Sequence, residues 1–155
     1  MRWSIAGRTA NTAATANHCA AQLWNASSTR TIWVTAIGWS KTVATADTVA
    51  LKRSTARGAT PTTTITPTIA SDWEREIIPP SLAVLELSTF TTQPTLEGVA
   101  AFQYSLPAAQ ASGFILPFET KDLQGIKIIP GAGLCLFTPV AAILNAADVF
   151  FNIYE

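Results

Sequence analysis

Few residues in this chain could do chemistry. His18 is the only histidine, so any Ser-His-Asp or Cys-His arrangement for acyl transfer has to use it. Its neighbour Cys19 cannot serve as the nucleophile within a strand, where consecutive side chains point to opposite faces. His18 is therefore expected to be a structural histidine. Cys19 and Cys135 are the only cysteines, and two thiols with one imidazole lack the paired ligand spacing of a zinc site. Two readings stay open for them: reduced, buried small hydrophobes, or a disulfide.

Asp72, Glu74 and Glu76 form the one local acidic cluster, with Arg75 among them. Paired carboxylates can run acid–base chemistry, but this spacing lacks the glycine-containing loop of a calcium cage. A solvated loop is the expectation. Gly131-Ala132-Gly133 is too short for a dinucleotide fingerprint, and Pro130 precedes it where a helix-opening turn is required. Lys52, Arg53 and Arg57 are the strongest local positive run, expected to be a solvated face. No catalytic, cofactor-binding or metal-ligating set is assigned, and no enzymatic activity is expected.

The five tryptophans, Trp3, Trp24, Trp33, Trp39 and Trp73, suit three uses: core, subunit contact, or stacking on sugars. Charge decides against other partners. Charged residues are 13% of the chain, and ten basic side chains balance ten acidic ones. Such a surface offers no field to steer nucleic acid or anionic lipid. No apolar run reaches the ~18–20 residues of a membrane-spanning helix, and no signal-peptide pattern opens the chain. A chain this poor in charge is prone to self-association.

The elements that must carry these residues read as strands. Residues 31–39 alternate Ile32, Val34 and Ala36 with Trp33, Thr35 and Ile37, so both faces read as covered. Residues 48–55 and 149–154 alternate cleanly, the latter with Val149, Phe151 and Ile153 on one side. Residues 62–66, fenced by Pro61 and Pro67, read as an edge strand or extended loop. Residues 81–90 and 98–106 read as a strand pair, and residues 126–129 and 134–137 flank a Pro-Gly turn. Residues 8–23 are Ala-rich, but their threonines favour, over a helix, a partly extended arm leading into a strand at residues 19–24. A short helix after Pro139 is open. With 155 residues, the chain fits one domain: an arm at 1–18 and a sandwich at 19–155. The fold class is all-β, a two-sheet antiparallel sandwich of about eight short strands, jelly roll first and immunoglobulin-like second.

Several stretches resemble a group of small tailed-phage virion proteins of the head decoration or cement type. Leu23-Trp24-Asn25, followed by Ser27, Ser28 and Thr31-Ile32-Trp33-Val34, is similar to their aromatic-Asn turn feeding a long strand. Leu51-Lys52-Arg53-Ser54-Thr55, Arg57-Gly58-Ala59-Thr60 and Thr64-Ile65-Thr66-Pro67 resemble a second strand and Thr-Pro loop. Ile128 to Leu134 resembles a Pro-Gly-x-Gly turn, with Ala132 at a position that is often acidic in the group. Val149-Phe150-Phe151-Asn152-Ile153-Tyr154-Glu155 resembles the aromatic closing strand. The resemblance runs from about Leu23 onward and implies a jelly-roll or tumour-necrosis-factor-like sandwich that trimerises on a capsid.

The expected function is thus a capsid decoration subunit on the outer surface of the virion head. It would be a homotrimer with the major capsid protein as partner, without cofactor, nucleic acid or membrane. Trp3 and Ile5 are the candidate capsid contacts; Trp33, Ile37 and Trp39 are the candidate subunit interface. The alternative is a carbohydrate-binding module of a fibre or surface protein, with Trp24, Trp33, Trp39 and Trp73 as stacking residues.

Overall fold

Strand-forming alternation runs through nearly the whole chain. The structure, a computed structural model, describes residues 2–67, 82–118 and 125–155. Among them are eleven strands: β1 (Arg2–Arg8), β2 (His18–Asn25), β3 (Ile32–Lys41), β4 (Asp47–Ala56), β5 (Thr63–Ile65), β6 (Ala83–Leu87), β7 (Thr95–Leu106), β8 (Gly113–Pro117), β9 (Ile126–Ile128), β10 (Gly133–Thr138) and β11 (Ala147–Tyr154). No described residue is helical, including those after Pro139.

A five-strand sheet runs β1-β11-β3-β8, with β9 also on β3, and a six-strand sheet runs β5-β6-β2-β10-β4-β7. The pairs β1–β11, β2–β10, β3–β8/β9 and β4–β7 are all antiparallel. The chain is thus a long two-stranded ribbon whose tip lies between β4 and β7. Successive pairs of that ribbon enter opposite sheets, which is the winding of a jelly roll. The expectation of about eight strands falls short for three reasons. The N-terminal stretch forms β1, residues 113–117 form β8, which shares one edge of β3 with β9, and the count of eight is itself one short of the segments that read as strands. The expected pairing of residues 81–90 with 98–106 does not occur, because β6 lies on β2 and β7 on β4.

The N-terminal stretch is not an arm outside the sandwich. Arg2 to Arg8 pair in register with Tyr154 to Asp148. Trp3 and Ile5 point inward beside Val149, Phe151 and Ile153, each about 2% exposed or less. Gly7 leaves room for Leu87 and Ile65 of the opposite sheet. The period of two was present in Trp3, Ile5 and Gly7, but the glycine at its third inward position removed the apolar signal.

β3 holds the second correction. Both of its parities are apolar, yet the cause is a bulge and not two covered faces. Asn152 pairs with Ala36 and Ile153 with Val34, so Thr35 is an extra residue on β3. An extra residue reverses which parity faces the core. Ile32 and Val34 point inward before it, and Ile37, Trp39 and Lys41 after it, all buried.

The middle of the six-strand sheet, β6, β2 and β10, is buried on both faces. The sheet's inner side gives Leu23, Leu51, Leu85, Leu87, Leu134 and Leu136 to the main core. Two of its own connections, residues 57–62 and 88–94, cross its outer side and join through Ala59 and Thr92. Beneath them Cys19, Cys135 and Phe90 make a second, small core with Leu96. Gly58 lacks a Cβ where Phe90 needs the space. Buried Gln22 ties the cover down, donating to Ser54 Oγ at 2.8 Å and accepting from Gly58 N at 2.9 Å. Arg57 pairs with buried Glu86 at 2.6 Å. Gln93 accepts from Cys19 N at 2.8 Å and contacts His18 Nε2 at 3.1 Å.

Trp3→Ala should cost about 3–5 kcal/mol, the range for truncating a buried aromatic, read by urea unfolding. A variant lacking residues 1–8 should lose cooperative unfolding. Retention of the full unfolding free energy by either variant would return this segment to the role of an arm.

Candidate functional site

The outer side of the five-strand sheet has no cover among the described residues, and its composition is unusual for an open sheet face. β11 presents Asp148, Phe150, Asn152 and Tyr154 there, and β1 presents Arg2, Ser4, Ala6 and Arg8. β3 adds Trp33, Gly38 and Ser40, and the edge adds Ile115 and Pro117. The middle of this face is small and uncharged. Phe150 lies flat over Gly38, where a Cβ would fall 1.9 Å from its ring. On one side of that ring is a hollow of about 660 Å³ lined by Ala6, Trp39, Phe114, Ile115 and Phe150. On the other is one of about 380 Å³ bordered by Ala36, Pro117 and Asn152. Ile115 stands up at the rim, 68% exposed.

Charges sit at the two ends of this face. Arg8 and Asp148 pair at 2.7 Å, with both side chains more than half exposed. The hydrogen bond from Arg8 holds the Asp148 carboxyl below its ordinary range, against a smaller opposing effect of burial. At the other end Lys127 lies over the Trp33 ring, 5.8 Å from its centre, and Arg30 pairs with Glu155 at 3.2 Å.

Of the expected interface residues, only Trp33 reaches this surface, and there it is half-buried. Ile37 and Trp39 belong to the core, because the Thr35 bulge turns them inward. Trp3 and Ile5 are core as well and cannot be the capsid contacts expected of them. The same burial removes Trp39 as a sugar-stacking residue; Trp24 is half-buried, and Trp73 lies outside the described residues. Phe150, Gly38 and Ile115 were not among the expected site residues. Phe150 was legible, since it breaks the polar parity of β11 set by Asp148, Asn152 and Tyr154.

The other candidates take structural places. Lys52 lies over the Phe137 ring, Arg53 donates to Lys127 O at 2.7 Å, and Arg57 holds Glu86. Gly131, at φ +69°, makes the turn whose N–H bonds Asn25 O. Asn25 spends its amide on Arg30 O, Ile128 O and Ser27 N, so the Trp-Asn turn clasps β9. Cys19 and Cys135 are free thiols, both fully buried. Burial pushes the Cys19 thiol well above its ordinary range, with the neighbouring Cys135 adding to it. Asp72, Glu74, Arg75 and Glu76 lie outside the described residues. Among the described residues no three His, Cys, Asp or Glu side chains gather.

The chain matches no protein-family model, and no curated protein or solved structure matches it.

A thiol-reactive dye should leave both cysteines of the native protein unlabelled. Phe90→Ala removes the ring that covers them and should raise the native labelling rate at least tenfold. Equal rates in the two proteins would show that residues 88–94 do not shield the small core.

Proposed function

We propose that this chain is a structural assembly subunit whose copies meet through the outer side of the five-strand sheet, and that the assembly decorates a phage head as a homotrimer. One observation carries the assembly part: the two outer sheet faces are treated differently. The chain spends two connections on closing the six-strand sheet, yet leaves a neutral, hollowed face around Phe150 open. Neutral faces with small residues suit close packing against another protein, since no ion has to be desolvated.

Size favours a ring over a pair. Four strands about 4.8 Å apart and about seven residues long, at about 3.4 Å each, make a face of roughly 450 Å². A stable interface covers about 800 Å² on each partner. In a ring every copy meets two neighbours and adds its edges to the contact. The number three and the capsid come from the resemblance of the Trp-Asn turn, the Thr-Pro loop and the aromatic closing strand to decoration proteins. His18 fits a non-enzymatic reading: it is tied to Gln93 at the edge of the cover, away from the hollows.

Light scattering at micromolar concentration should return three times the 16.5 kDa chain mass. Ile115→Arg places a charge on an already exposed position and should give a folded monomer. Wild-type protein added to heads that lack it should bind saturably and raise their disruption temperature, because it stabilises only the state it binds. A monomeric wild type would contradict the assembly. Specific retention on a glycan, with no affinity for heads, would replace this reading with the carbohydrate-binding one.

A further inference from the structure

The strands of the sandwich end in two sets of connections, and one set carries no charge. Residues 9–17, 42–46, 107–112 and 139–146 join β1–β2, β3–β4, β7–β8 and β10–β11 at one end. None of these residues is Asp, Glu, Lys or Arg. The opposite end holds Arg30 and Arg57. At the neutral end Val43, Val140 and Ile143 are exposed, between 36% and 47%.

Of the charged side chains that border this end, Arg8 and Asp148 neutralise each other in an exposed ion pair at 2.7 Å, and Lys41 and Asp47 are turned inward. Lys41 and Asp47 are each 5% exposed or less. Lys41 Nζ donates to Thr45 O and Pro107 O, which joins two of the loops. Asp47 accepts from Asn145 Nδ2 at 2.6 Å and so holds a third. Thr12 exchanges hydrogen bonds with Leu144, from Thr12 N to Leu144 O at 2.9 Å and from Leu144 N to Thr12 Oγ1 at 2.8 Å. Ala146 N donates to Asn11 Oδ1 at 2.8 Å, and Thr42 donates to Ala146 O through both N and Oγ1. The polar groups of the four loops thus bond one another, and the aliphatic groups are left outward. Loops fixed in this way lose little freedom on docking, which lowers the cost of binding.

From this we infer that the four-loop end is the surface that docks on the shell, and that its partner is a neutral, apolar protein surface there. The inference rests on the decoration reading and replaces Trp3 and Ile5 as the contact. Neutrality selects this occupant: the four loops carry no basic group to hold a lipid phosphate or nucleic acid, the adjoining Arg8 is paired with Asp148, and a charged partner would lose its hydration without a counter-charge. Ring symmetry supports it. Copies of a ring point the same way, so faces meeting with strands along the axis set the three like ends in one plane. Three weak, rigid contacts then act together, worth ~10²–10⁴ over a single one.

The experiment compares wild type with Ile143→Asp, Val43→Asp and, at the opposite end, Ile129→Asp, all at exposed positions, in binding to heads that lack the subunit. Circular dichroism and light scattering should find all four folded and of equal mass. Ile143→Asp and Val43→Asp should each weaken head binding by on the order of 100-fold, since every copy in the ring would bury an unpaired charge. Ile129→Asp should bind as wild type does, and wild-type affinity should change little between low and high salt. If wild type binds heads but only Ile129→Asp fails, the docking end is wrong and the decoration reading stands. If wild type does not bind heads, both fall. Retention of wild type on neutral phosphatidylcholine vesicles would assign the end to lipid. A doubled wild-type mass that Ile143→Asp abolishes would assign it to a second ring.

Discussion

A sandwich of two sheets hides one side of each and must still deal with the other two sides. With charged residues at 13%, this chain cannot solvate both outer sides in the usual way. On the six-strand sheet it uses its own connections as cover, which requires every polar group caught beneath them to be paired. Gln22 meets that demand by bonding Ser54 and Gly58, and Arg57 reaches buried Glu86 from the exposed side. The cover in turn makes β2, β6 and β10 buried on both faces, which is why they read as almost unbroken apolar runs. On the five-strand sheet the same scarcity of charge leaves a neutral face around Phe150. The fold's asymmetry follows from that difference.

Much of the architecture was legible in residue pattern. Val149, Phe151 and Ile153 marked one side of β11, and the abundance of threonine marked strands over helices. What escaped notice has physical causes. A β-bulge is one residue long and leaves no compositional trace, so Thr35 made a one-sided strand look two-sided. That illusion led to Ile37 and Trp39 as interface residues, when the bulge had turned them into the core. Trp3 and Ile5 were misplaced because a strand of seven residues with a glycine at an inward position shows too little alternation. The crossing of residues 57–62 over the sheet was not readable either, since a cover depends on long-range packing that no local period records.

The candidate site was harder to see than the fold for a related reason. Catalytic sites announce themselves through scarce residue types, and here His18 and the two thiols were the only such types. All three are occupied in or beside the small core under the cover. The proposed assembly surface is made of common residues such as Gly38, Ala6 and Ile115, whose meaning appears only when strand register sets them side by side. The uncharged four-loop end is similar. Its neutrality is written in the sequence, but four separate segments have to meet before it becomes one surface. Lys41 and Asp47 show how far this goes: two ions that could have made that end polar are buried and bind the loops together instead.

In the proposed assembly the face around Phe150 is covered by other copies of the chain. Hydroxyl-radical footprinting across a dilution series tests it most directly, because it reads side-chain exposure residue by residue in the folded protein. Ile115, Phe150 and Tyr154 should become protected as concentration rises, while Ile129 and Val99, away from that face, should oxidise at one rate throughout. Oxidation of Ile115 and Phe150 that is independent of concentration, at the rate their exposure in the single chain implies, would contradict it.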